Sequence, residues 1–184
     1  MERDDWELVR RSRAGDQQAF RELFERYHRQ VLALAVGMTG NGDDAMDVAQ
    51  ETFVRAHKNL GSFLGESSFY TWLYRIAVNV AIDFRRRQSR RAEVLPSEPI
   101  DETVVDTERT ADPRREIERR ELGARILQGI DELTPEHKAA IILREIEGLS
   151  YEDISKVMQC SKGTVMSRLH YARKKLQAKL RDLL

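Results

Sequence analysis

The sequence predicts an all-α protein, made of two small helical domains joined by a flexible linker. Three observations carry this. Leu, Ala, Arg and Glu dominate, while 184 residues hold only 10 Gly and 4 Pro, a balance that favours helices over sheets. Apolar residues recur at three- and four-residue spacing outside one polar stretch. Helix-start signals recur too: an Asp or Ser ahead of a periodic segment, and the pairs Asp112-Pro113 and Thr134-Pro135.

The elements follow in order. Asp4 or Asp5 is positioned to cap a first short helix ending at Gly15. Asp16 caps a long second helix whose Phe20, Leu23, Phe24, Tyr27, Val31, Leu34 and Ala35 fall on one face. Thr39-Gly-Asn-Gly42 breaks the chain. Asp43 or Asp44 then caps a third helix to about Asn59. Gly61 to Gly65 is a loop, and Ser67 or Ser68 starts a fourth helix through Trp72, Ile76 and Val80 to an arginine run. These make a first domain, 1–91.

Residues 92–112 carry Pro96 and Pro99 and, after Glu93, six acids against one base. No amphipathic period survives there, so the stretch reads as a flexible acidic linker. The second domain, 113–184, starts at Pro113. A helix 135–147 ends at Gly148. Ser150 and Asp153 frame a capping box that opens a short helix to about Met158. Gln159-Cys160 is a tight turn, and the last helix starts near Ser161.

Net charge is zero, with 31 basic and 31 acidic side chains, but the signs are segregated. Lys156 to Arg181 holds eight Lys/Arg and no acid, and Arg85 to Arg91 holds five Arg and no acid. Local patches of this kind set the field that a nucleic-acid phosphate meets. Cys160 is the lone cysteine, so no intramolecular disulfide forms and a reducing, cytoplasmic location is expected. The start MERDDWEL lacks a signal-peptide apolar core, and the apolar stretch Val31–Met38 is too short for a bilayer, so no membrane insertion is expected.

Residues 150–170 fit a helix-turn-helix that binds double-stranded DNA. Ile154, Val157, Val165 and Leu169 would pack inward. Lys162, Thr164, Ser167, Arg168, His170 and Tyr171 would face out, the side-chain types that base edges and phosphates accept. Arg173, Lys174, Lys175 and Lys179 extend the charge. A solvated basic helix in an ordinary bundle is the simpler alternative. In the first domain, Asp47, Gln50, Glu51 and Val54 share neighbouring turns, and spacing alone favours an ordinary amphipathic helix there. Four of thirteen aromatics fall within residues 69–74, among hydroxyls and ahead of Arg75. Aromatics beside cations suit single-stranded nucleic acid; the same spacing also makes Phe69, Trp72 and Ile76 core residues, leaving Phe63, Tyr70 and Tyr74 partly exposed.

Five blocks together resemble the RNA polymerase sigma factors of the extracytoplasmic-function group, sigma-E-like: AGDQQAFRELFERY (14–27), DVAQETFVRAHKNL (47–60), FYTWLYRIAVNVAIDFRRR (69–87), LTPEHKAAIILREIEGLSYEDIS (133–155) and GTVMSRLHYARKKL (163–176). The resemblance implies a sigma-2-like four-helix domain and a sigma-4-like helix-turn-helix domain. It implies binding to core RNA polymerase, at the beta-prime clamp helices and the beta flap. Asp47, Gln50, Glu51, Phe53, Val54, Ala56, His57 and Leu60 would form the core-binding region. Promoter −10 recognition and melting would fall to Phe63, Ser67, Ser68, Phe69, Tyr70, Trp72, Tyr74, Arg75, Asn79, Arg85 and Arg86, with Phe63 and Asn79 around a flipped base. The −35 element would meet Ser161, Lys162, Thr164, Met166, Ser167, Arg168, His170, Tyr171, Arg173 and Lys174. Met166 and Tyr171 stand where relatives often carry basic residues. The linker would thread near the polymerase active channel, and an anti-sigma factor is the implied regulatory partner.

Two other classes are weaker. A self-sufficient helix-turn-helix regulator leaves residues 47–87 without a role. An enzyme lacks its machinery: His28, His57, His137 and His170 are scattered, and no Gly-rich phosphate loop or Ser/His/Asp arrangement appears. Asp43, Asp44, Asp47 and Glu51 give no convergent metal set. No cofactor is expected.

Overall fold

The computed structural model describes residues 2–94 and 113–181, with side chains for 4–91 and 122–181. Eight α-helices are ordered as α1 (Glu2–Arg13), α2 (Gln17–Thr39), α3 (Gly42–Lys58), α4 (Phe69–Val94), α5 (Pro113–Asp131), α6 (Pro135–Ile141), α7 (Tyr151–Val157) and α8 (Lys162–Leu180). No strand occurs among the described residues. A 3₁₀ turn spans Leu60–Ser62, and a π-helical segment, Ile142–Ile146, continues α6.

Helices α1–α4 form the first unit. α2 is the central strut: Leu23, Tyr27, Val31, Leu34 and Met38 recur at three and four residues and are all buried. Its ends match the sequence reading. Asp16 accepts hydrogen bonds from the Gln18 and Ala19 amides, and Gly40 closes the helix in the left-handed region. Two expected caps are corrected. The α3 cap is Asn41, whose side chain accepts from the Asp43 and Asp44 amides. Those two acids lie in the first turn instead, where they favourably meet the helix dipole. Asp4 and Asp5 do not cap α1, which begins before them at Glu2. They reach α2: Asp4 pairs with Arg26 at 2.6 Å, and buried Asp5 accepts from Arg26 and from the Tyr27 hydroxyl. A buried carboxylate is tolerable only with such partners.

α4 does not stop at the arginine run. It continues through Arg91 to Val94, so the first three residues expected in the linker are helical. The remainder of that stretch, 95–112, lies outside the described residues, as does the expected cap Asp112. Pro113 does open α5.

In the second unit Thr134 precedes Pro135 at the start of α6, as expected. The expected helix 135–147 changes character at Ile142, where the backbone widens to π geometry. Gly148, at φ +69°, ends it. Ser150 accepts from the Asp153 amide at 3.1 Å and donates to the Asp153 carboxylate at 2.6 Å. Ile154, Val157, Val165 and Leu169 are all buried. α4 packs against α6 and α7, and α2 against the π segment. At that last contact a Cβ on Gly37 would stand 3.2 Å from Ile142 Cδ1, so the missing side chain lets the elements meet.

Candidate nucleic-acid interface

Three surfaces hold the residues singled out from the sequence. On α3, Asp47, Gln50, Val54 and His57 are exposed along one stripe. Glu51 is half-buried and takes Arg55 Nε at 2.7 Å, a bond that holds its carboxyl below the usual range. Phe53 is buried, with its ring edge-on to Phe24 at 4.8 Å. Ala56, on the inward side of α3, and Leu60, in the 3₁₀ turn after it, are buried in the core and cannot touch a partner directly. Beside the stripe, α2 and α3 leave a groove of about 600 Å³ lined by Phe20, Phe24, Leu32, Met46 and Val54. Phe24, Met46 and Val54 are all exposed there.

The second surface is the 61–68 loop with α4. The aromatic cluster is core to a greater extent than the sequence suggests. Phe63, Phe69, Trp72 and Tyr74 are all at most 4% exposed. Phe63 meets Phe69 perpendicularly at 5.8 Å and Trp72 at 5.5 Å. A hydrophobic ring beside other rings gains most by burial, and that outweighs display to solvent. The expected partial exposure holds for Tyr70 alone, which lies 4.1 Å from the Tyr74 ring. Ser68 accepts from the Thr71 amide and starts α4.

A polar hollow of about 610 Å³ sits over this cluster, lined by Trp6, Phe63, Gly65, Ser67 and Thr71 and walled by Lys156 of α7. Asn79 is exposed on α4 but does not line that hollow. It shares a face instead with Arg75, Asp83 and Arg86, at helical spacing. Arg86 pairs with Glu136 at 2.5 Å and Arg85 with Asp131 at 3.0 Å, so both reach the second unit. Tyr74 donates to Glu147 there at 2.8 Å, and burial pushes its phenol well above the ordinary range. Sequence reasoning missed Trp6 and every contact between the units. Neither has a local signal.

The third surface is the helix-turn-helix. Ser161 accepts from the Thr164 amide and caps α8. Met166, Ser167, His170, Tyr171 and Lys174 are exposed on its outward side. Arg168 turns back over the turn, with a nitrogen 3.6 Å from Cys160 Sγ. Lys162 pairs with Glu152 at 3.0 Å and Arg173 with Glu145 at 2.6 Å. Both pairs are exposed, so phosphates can replace the carboxylates at small cost. Tyr171 lies against His137, with centroids 4.6 Å apart. Among the described residues no His, Cys, Asp or Glu group could hold a metal, and no helix is long and apolar enough to cross a membrane.

Comparison with known proteins places both units. The Sigma-70 region 2 family model matches residues 23–91, and the Sigma-70, region 4 model matches 123–176. Both describe parts of a transcription initiation factor, the sigma subunit of RNA polymerase. The RNA polymerase sigma-H factor of Pseudomonas aeruginosa is 42% identical, covering 98% of this chain and 95% of the relative. The ECF RNA polymerase sigma-E factor of Haemophilus influenzae is 42% identical, covering 98% and 97%. The chain belongs to the RNA polymerase sigma factors of the extracytoplasmic-function group, which direct the polymerase to promoters. The solved structure of CnrH with the cytosolic domain of CnrY is similar, at 27% identity and a TM-score of 0.69 over 97% of this chain and 98% of that one. The sigma factor RpoE of Bartonella quintana, solved with the anti-sigma factor NepR, shares the fold at 24% identity and a TM-score of 0.67, over 88% and 96%.

Proposed function

We propose that the three surfaces divide the work of initiation. The α3 stripe, Asp47, Gln50, Val54 and His57, docks on the core enzyme beside the apolar groove. Phe53, Ala56 and Leu60 support it from within. The exposed face of α4, with Arg75, Asn79 and Arg86, engages the −10 strand, joined by Arg85 once it leaves Asp131, and the 61–68 loop holds an extruded base. The outward side of α8 reads −35 in the major groove.

The observation that carries this reading is the α3 stripe lying against an exposed apolar groove, a surface suited to a protein partner rather than to DNA. The contacts Tyr74–Glu147, Arg85–Asp131 and Arg86–Glu136 hold the faces of α4 and the second unit together. Promoter opening therefore follows their separation, and core polymerase holds the units apart. The two solved relatives were captured with CnrY and NepR, which supports a protein inhibitor for this chain as well. Its place of action is the cytoplasm.

A pull-down decides the matter. Asp47→Lys and Val54→Glu variants should fold normally yet lose core polymerase. If they retain it, core polymerase docks elsewhere and the α3 assignment falls; if the wild-type chain ignores core enzyme and binds promoter DNA tightly alone, the reading of a self-sufficient regulator replaces this one.

A further inference from the structure

An extruded base needs a ring to rest on, and the rings under the hollow have no free face. Phe63 and Phe69 are 4% and 3% exposed and pack on one another and on Trp72. Trp6 of α1 differs, since it lines the same hollow and is 45% exposed. One exposed apolar side chain is ordinary in itself. Trp6 is also held in place. Its indole meets Phe63 edge-on, at 5.5 Å and 63°. Its far edge lies over Gly65, where a Cβ would stand 3.1 Å from Cζ3. Gly65 sits at φ +78°, so the position suits glycine on both counts. A rigid aromatic at the rim of a hydroxyl-lined cavity has the form of a stacking platform.

We propose that Trp6 is a further specificity-determining residue for promoter opening: its indole stacks on the unpaired −10 base that enters the hollow over Phe63. The Ser67 hydroxyl lies within reach of that base's edge. The contribution comes from α1, ahead of residue 23, where the match to sigma region 2 begins. Asp153 and Lys156 of α7 line the hollow as well, so entry follows the departure of the second unit. The inference rests on the assignment of the −10 strand to this segment, and its test separates the two.

Trp6→Leu and Trp6→Phe holoenzymes are compared with wild type on fork DNA that is single-stranded across −10. The fork is built on a promoter mapped by transcription-start sequencing. Leu keeps an apolar contact with Gly65 and Phe63, so folding and core binding persist and are checked by melting and pull-down. Trp6→Leu should bind the fork about tenfold more weakly, within the range that aromatic–base stacking supplies. Trp6→Phe should stay within about threefold of wild type, because a ring remains. An abasic residue at one −10 position should erase the difference between wild type and Trp6→Leu. Wild-type affinity for Trp6→Leu, or a deficit that survives every abasic substitution, overturns the proposal. Arg75→Ala and Asn79→Ala run in parallel. If they weaken fork binding while Trp6→Leu does not, only the Trp6 assignment fails. If all three bind normally, the −10 assignment itself fails.

Discussion

Tyr74 and Glu147 join the two halves of the molecule through one hydrogen bond. The Tyr74 ring is fully buried in α4, and its hydroxyl reaches the carboxylate 2.8 Å away, just past the π segment that follows α6. The phenol stays protonated, since burial, Tyr70 and Glu147 all disfavour its anion. A single neutral donor thus ties α4, the helix proposed to engage the −10 strand, to the unit proposed to read −35.

Tyr74→Phe keeps the ring and removes the donor. The half-buried Glu147 then turns to water, so the cost should be about 1 kcal/mol. Denaturant midpoints should fall accordingly, and small-angle scattering should show a larger radius of gyration. A variant as compact and as stable as wild type would mean that the bond does not hold the units together.

The ion pairs across the same junction should act differently. Arg86–Glu136 and Arg85–Asp131 each have one partner more than half exposed. Glu136→Gln, which neutralises the first pair, should change stability by well under about 1 kcal/mol, whereas Asp131 must stay because it also partners the buried Lys138 ammonium. Reversing the charge at Glu136, as Glu136→Lys, places a cation against Arg86 and leaves the Asp131 partner of Lys138 intact. The expected result is expansion in scattering at low salt that shrinks as salt screens the repulsion. Salt-independent dimensions would sink this expectation.

On α8, Lys174 and Met166 should separate affinity from discrimination. Both are exposed on the outward side. Lys174→Ala should weaken holoenzyme binding to all −35 sequences alike and lower the salt slope by about 1. Met166→Ala should alter preference at one base pair, through lost contact with a thymine methyl. Arg168→Ala should weaken −35 binding less than its charge suggests, because its guanidinium rests on Cys160 and Met158 in this structure. Binding titrations against a panel of −35 variants at several salt concentrations resolve all three.

Much of this was legible because the signals are local. The buried stripe of α2, its Asp16 cap and the four inward residues of the helix-turn-helix all follow from spacing and capping chemistry. The misread positions share a cause. Asn41, Asp43 and Asp44 all carry capping acceptors, and only the backbone path selects Asn41. Asp4 and Asp5 look like caps until α2 brings Arg26 and Tyr27 beside them. The aromatics at 63–74 suit a core or a base-stacking surface equally, and the fold chose burial for all but Tyr70. Trp6 gains its place from Gly65, a partner remote in sequence.

The turn of the helix-turn-helix carries a residue whose conformation costs stability. Gln159 has φ 49°, the one described non-glycine residue at positive φ. An L side chain there loses roughly 1 kcal/mol relative to glycine, less the extra entropy that glycine has when unfolded. Gln159→Gly should raise the stability of the second unit by about 0.5 kcal/mol. Thermal melting measures the gain, and a decrease would show that the Gln159 side chain makes a compensating contact.

Lys138 offers a test with a pH signature. It is 2% exposed in α6, and its ammonium lies 2.9 Å from Asp131, which also takes Arg85. Burial lowers its pKa from 10.5, with Asp131 opposing only in part. The unfolded chain therefore keeps this proton at pH values where the folded chain has released it. Stability rises with pH between the lowered folded value and 10.5. Lys138→Met removes the buried charge and leaves Asp131, about half exposed, with Arg85 and water. At pH 7 the variant should match or exceed wild type by about 1 kcal/mol. As pH climbs to about 9.5, still short of the phenol range, wild type should close the gap. Urea midpoints at three pH values measure it. A variant less stable than wild type at pH 7 would mean that the Lys138–Asp131 pair stabilises the unit outright, and a gap that does not change with pH would mean that folding does not lower the Lys138 pKa.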